Sequence, residues 1–159
     1  MEIKTNIETV IRQLETYRNT LNDRLRLFME ALANIGVDYA KASFSTAIYD
    51  GDNDVSVQWV RDDENTLRVV AEGNAVLFIE FGTGLIGGGH PDAPAMGYGP
   101  GTWSDGPNGK RQWTRPDGWI YEHHTDRTHG NPPSESMRGA ADIMRERIAE
   151  IALEVFASD

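Results

Sequence analysis

Apolar residues recur at spacings of three and four from the start of the chain: Ile7, Val10, Leu14, Tyr17, Leu21, Leu25, Phe28, Leu32 and Ile35. That period predicts one long amphipathic helix over residues 1–36. Thr5 with Glu8 three positions on fits a capping box, and Gly36 stands where a helix would stop. A helix of about 30 residues rises roughly 45 Å, more than a small domain needs, so part of its stripe is expected to serve a partner subunit. A shorter helix is predicted over 37–49, with Val37, Ala40 and Phe44 along one side. DGDND at 50–54 then reads as a turn.

Beyond that turn the period changes to two. Val55, Val57 and Trp59 alternate with polar residues, DDEN at 62–65 turns the chain, and Leu67 to Ala71 returns. Glu72, Gly73 and Asn74 turn again into the apolar run AVLFIEF at 75–81, which reads as the central strand of a β-meander over 53–81. The 37 residues from 82 to 118 hold eleven of the sixteen glycines and five of the seven prolines. Trp103 and Trp113 lie within this segment and Trp119 just beyond it. Such a segment predicts an extended loop that orders itself against something, because its aromatic residues argue against plain disorder. Ordering it costs roughly 1–2 kcal/mol per residue in backbone entropy, which points to ordering on assembly and not in the free subunit. Trp119, Ile120 and Tyr121 are expected to return as a fourth strand. A last helix is predicted over 132–157 from Met137, Ala141, Met144, Ile148, Ile151 and Val155, with Asn131 or Ser134 as N-cap. The expected fold is a single α+β domain, with a small antiparallel sheet of three or four strands between the two helices.

Composition narrows what such a domain does. The chain has 159 residues, no cysteine and a net charge of −10, which excludes disulfides, thiolate metal sites and a cysteine nucleophile. Residues 50–72 hold seven acids against Arg61 and Arg68. An acidic surface disfavours tight nucleic-acid binding, which needs a basic footprint, but suits a surface past which DNA slides without sticking. Asp52, Asp54, Asp62, Asp63 and Glu64 are the candidates for such a channel or rim. No apolar stretch approaches the roughly 20 residues of a membrane span, and MEIKTNIETV has no signal-peptide pattern, so synthesis and use in the cytoplasm are expected.

Gly82-Thr83-Gly84-Leu85-Ile86-Gly87 spells the dinucleotide fingerprint G-x-G-x-x-G. A dinucleotide site needs a helix to begin there, and Gly88, Gly89, Pro91 and Pro94 forbid one. No Gly-Lys-Ser/Thr follows either, so nucleotide binding is rejected. His123, His124 and His129 with Glu122 or Asp126 sketch a zinc site without an H-E-x-x-H helix, and solvated loop histidines are the plainer reading. A small metal-dependent hydrolase using those histidines with Glu80 or Glu122 is the enzymatic alternative. A glycan-binding module on the tryptophans is another. Glu80, the polar residue in an apolar run, is expected to make a salt bridge or to accept hydrogen bonds from backbone amides.

The order of parts is familiar. YDGDNDV at 49–55, FIEFGTG at 78–84 and the Pro-Pro-Ser-x-x-Met run at 132–137 resemble the phage tail-component family of long-tailed bacteriophages. Its members are described as minor tail, tail completion or head–tail joining proteins. The resemblance implies a non-enzymatic, cofactor-free virion subunit acting in rings at the tail or neck, present in the host cytoplasm during assembly. Its implied partners are further copies of itself and other tail or neck proteins: tail terminator, tail tube and connector. It places Phe78, Ile79 and Phe81 in the sheet and Gly82 to Gly84 at its exit, where glycine permits positive φ. Gly82, Thr83, Gly84, Trp103, Trp113 and Trp119 are the candidate contact arm.

Overall fold

A computed structural model describes residues 6–83, the backbone of 119–120 and 127–128, and residues 130–157. The chain is α+β. α1 (Ile7–Thr46) is followed by the hairpin of β1 (Ser56–Asp63) and β2 (Thr66–Glu72), then α2 (Val76–Phe81), β3 (Trp119–Ile120), β4 (Arg127–Thr128) and α3 (Ser136–Phe156). The two helices predicted over 1–36 and 37–49 are one. Gly36 does not end α1 because it is buried in the α1–α3 crossing, where an added Cβ would lie 2.6 Å from Met144 Sδ. Gly139 mirrors it on α3, its Cα facing the Tyr39 ring, so two glycine notches let the helix axes approach closely. Asn6, and not Thr5, caps α1 by accepting a bond from the Thr9 amide at 3.2 Å; Thr5 lies outside the described residues.

The hairpin follows the predicted alternation. Ser56 pairs with Glu72 and Trp59 with Val69, with an irregularity between Arg61 and Asp63 at the tip. Its inward residues dock on α1: Val57 is buried, the Trp59 indole donates to Asn34 Oδ1 at 2.9 Å, and Arg61 pairs with Glu30 at 2.8 Å.

The expected third strand is a helix. The run 75–81 forms α2, with the Ile79 amide donating to the Ala75 carbonyl at 2.9 Å. A short, continuous apolar run has no period to separate strand from helix. Here both ends of the run find partners that fix the helical choice, described below. Phe78, Ile79 and Phe81 therefore leave the sheet, which among the described residues has two strands where three or four were expected. Trp119–Ile120 is a strand, but it pairs with Arg127–Thr128 as a separate two-stranded ladder and not with the hairpin. Val37, Ala40 and Phe44 of α1, Val57 of β1, Ala75 and Ile79 beside and in α2, and Ala140 of α3 form the core. Among the described residues no helix is long and apolar enough to cross a membrane.

Candidate functional site

The three stretches that carry the resemblance each tie off a helix end. In the first, the Asn53 amide group donates to the Phe44 carbonyl at 2.8 Å, satisfying one of the orphan acceptors in the last turn of α1. Asp54 reaches the other way. Its carboxylate accepts from the Asn74 and Ala75 amides at 2.8 and 2.9 Å, at the start of α2. These backbone donors hold the Asp54 carboxyl below its ordinary value of 3.8. Gly73 makes the approach possible: at φ 146° it occupies backbone space that an L side chain rarely adopts, and a Cβ there would lie 2.7 Å from the Asp54 carbonyl oxygen.

In the second and third stretches, FIEFGTG meets the segment leading into α3. Glu80 is 6% exposed, and its two carboxylate oxygens accept from the Met137 and Arg138 amides at 2.9 and 3.2 Å. α3 begins after Glu135, a left-handed residue at φ 52° that gives no side-chain cap of its own. Glu80 thus caps, from another element, a helix that lacks a local cap. Neither Asn131 nor Ser134 is the N-cap predicted for it. The Ser134 amide donates to the Ile79 carbonyl at 2.9 Å, and the hydroxyls of Ser134, Ser136 and Ser43 form a chain that fastens this segment to α1.

Thr83 and Asn131 close the arrangement. The Thr83 amide donates to the Asn131 carbonyl at 2.9 Å, the Thr83 hydroxyl to Asn131 Oδ1 at 2.5 Å, and Asn131 Nδ2 to the Phe78 carbonyl at 2.9 Å. Both residues are buried. The chain departs at Thr83 and is back at the same point by Asn131. Gly82, at φ 73°, turns it out of α2 as expected for the exit of this motif. Gly82 and Thr83, candidates for an exposed contact arm, instead form its buried root. Gly84, Trp103 and Trp113 lie outside the described residues, as do the side chain of Trp119 and the histidines of the hydrolase alternative; so does the expectation about loop ordering.

The acidic candidates differ in their contacts. Asp54 is exposed and holds the Asn74 and Ala75 amides at the entry to α2. Asp62 accepts from both Arg68 Nε and Arg68 Nη2, the latter at 2.7 Å, and the guanidinium lowers its pKa while its own rises. Asp63 accepts from the Asn65 amide at 2.8 Å and shapes the hairpin tip. All five candidates, Asp52, Asp54, Asp62, Asp63 and Glu64, are on the exposed surface. Beside the tip, an open cleft of about 630 Å³ is lined by Asp23, Arg26, Arg61 and Glu64 among others. Two acids face two bases there, so the lining selects no ligand by charge. Among the described residues no group of three or more histidine, aspartate or glutamate side chains is placed to hold a metal ion.

The sequence marks Glu80 as a polar residue in an apolar run, with a salt bridge or backbone amides as its alternatives, but gives no sign of the Thr83–Asn131 pair. The partners stand 48 residues apart, and no local pattern links them. No family model, no curated protein and no solved structure matches the chain.

Proposed function

We propose that this chain is a structural virion protein of the tail or neck of a long-tailed phage, a tail completion or head–tail connector component working through subunit contacts. One observation carries the reading. The stretches that resemble the tail-component family converge around α2, and Asn53, Asp54 and Glu80 within them are engaged with backbone groups at or beside helix ends. Residues used in this way hold a scaffold and the root of an excursion; they do not present a nucleophile or an acid–base pair to a substrate. The partners are further copies of the chain in a ring and the tail terminator, tail tube or connector, met through Trp103, Trp113 and Trp119. The exposed acids Asp52, Asp54, Asp62, Asp63 and Glu64 are the candidates to face a DNA passage.

Deleting the gene from its phage tests this. The expected result is unjoined heads and tails, with the protein present in several copies in purified wild-type virions. Infectious particles that lack the protein would overturn the proposal.

A further inference from the structure

α3 runs antiparallel along α1 and ends beside residues 24–28. There Arg24 donates to the Phe156 carbonyl at 2.8 Å, and the rings of Phe28 and Phe156 pack at 5.9 Å. Beyond that point and the cleft at the hairpin tip, no other described element packs on α1 over residues 7–21, about 22 Å at the helical rise. Its side chains there are exposed all round apart from partial cover at Thr9. This arm is not polar. Ile7, Leu14 and Leu21 repeat every seven residues, as do Val10 and Tyr17, the a and d pattern of a two-helix seam. Ile7 is 65% exposed, Leu14 62% and Tyr17 69%. The same stripe continues into Phe28, Leu32 and Ile35, which are partly covered where α3 packs. The arm is therefore the unoccupied continuation of an interface that the fold already builds.

We propose that the arm of a second copy occupies it, the two arms lying antiparallel and burying the stripe between them. Three observations select that occupant. The seven apolar side chains Ile7, Val10, Ile11, Leu14, Tyr17, Leu21 and Leu25 expose, at roughly 100 Å² apiece, close to the ~800 Å² that one partner contributes to a standard interface. Residues 6–27 carry three acids and four bases in a chain of net charge −10, so two arms approach without the repulsion that two whole bodies would feel. Finally, an antiparallel arm of a second copy runs in the same direction as α3 and takes up its line along α1. A parallel one would meet the α3 end at Phe156 and bring two acidic bodies side by side. Matching a to d layers sets Val10 against Leu21 of the partner subunit and Leu14 against Tyr17 of the partner subunit.

This contact is a two-fold one on a surface remote from the loop root, and it stands whether or not the protein works in a virion. Sedimentation velocity across the micromolar range should show twice the chain mass. Leu14→Glu should weaken the pair by roughly 100-fold or more, since each copy loses a seam residue. Because Leu14 touches no core residue, Leu14→Glu should keep a cooperative unfolding transition whose midpoint no longer depends on protein concentration, which separates lost pairing from lost folding. The chain has no native cysteine, so introduced thiols report orientation cleanly. A mixture of Val10→Cys and Leu21→Cys proteins should cross-link between the two variants, and neither variant alone should. A wild-type monomer throughout the range, a Leu14→Glu protein that still pairs, or cross-linking of Val10→Cys to itself would each overturn the proposal.

Discussion

Replacing Glu80 by glutamine keeps its size and removes its charge, which isolates the cap it provides to α3. In the native protein two oxygens receive two backbone donors, at 2.9 and 3.2 Å, in a site only 6% exposed. Glutamine retains one acceptor and turns an amide NH₂ toward the other N–H. The variant loses one hydrogen bond to a charged acceptor, worth about 1.5–3 kcal/mol, together with the attraction between carboxylate and helix dipole, about 0.3–1 kcal/mol. A loss of about 2–3 kcal/mol is expected, a sizeable share of the 5–15 kcal/mol that holds a domain folded. Glu80→Ala strips both amides and leaves a void, so it should cost about 1 kcal/mol more. Urea unfolding followed by far-UV circular dichroism measures the change, with an unaltered denaturant slope as the check that the same surface unfolds. Amide exchange at Met137 and Arg138 reads the cap directly and should accelerate in both variants. Asp142→Asn on the same helix serves as control: its pair with Arg145 is exposed, and such pairs contribute about 0–1 kcal/mol. A Glu80→Gln protein as stable as the Asp142→Asn control, with both amides still protected, would refute the capping argument.

Two further outcomes follow from the packing and the charges. Gly36→Ala gains about 1 kcal/mol of helix propensity but drives a methyl into Met144, so it should be neutral to mildly destabilising in the wild type. In a Met144→Ala background the same change should stabilise by about 1 kcal/mol, and a double-mutant cycle of unfolding free energies measures the difference. Asp54 has a lowered folded-state pKa, so its contribution to stability is present above the unfolded value of 3.8 and is lost as pH falls through the folded value. Asp54→Asn should therefore flatten the acid limb of a stability-versus-pH curve below about pH 4, while an unchanged limb would show that the cap is not titrating.

Helix α3, the 28–46 part of α1 and the hairpin were legible in the sequence because each buries one face, and one-sided burial writes its period into the chain; residues 7–25 of α1 carry the same period on an exposed stripe. α2 was not. Its six residues are too few for a period, and what makes them helical lies elsewhere: Asp54, twenty residues back, at one end and the α3 segment at the other. Gly36 misled for a related reason. A glycine that ends a helix and one that admits a neighbouring helix look alike until the neighbour, here Met144, is known. The capping site was visible only in part. Glu80 stood out as a polar residue in an apolar run, and its bonds to backbone amides matched expectation, but the amides belong to residues 57 and 58 positions away. Asn131 and Ser134 were noticed for their residue types and assigned to the wrong task, because the helix they precede takes its cap from Glu80.

The Thr83–Asn131 clamp also bears on how such a protein can change over time. With departure and return fixed by the same few hydrogen bonds, the span between Thr83 and Asn131 is closed at its ends like a link. Doubling the length of a closed link costs only about 0.6 kcal/mol in closure entropy. On closure entropy alone, a change in the number of residues between the two clamp partners costs the body little, provided the Thr83–Asn131 hydrogen bonds that fix the ends are kept. Length of that span and stability of the body are thereby only weakly coupled through closure entropy.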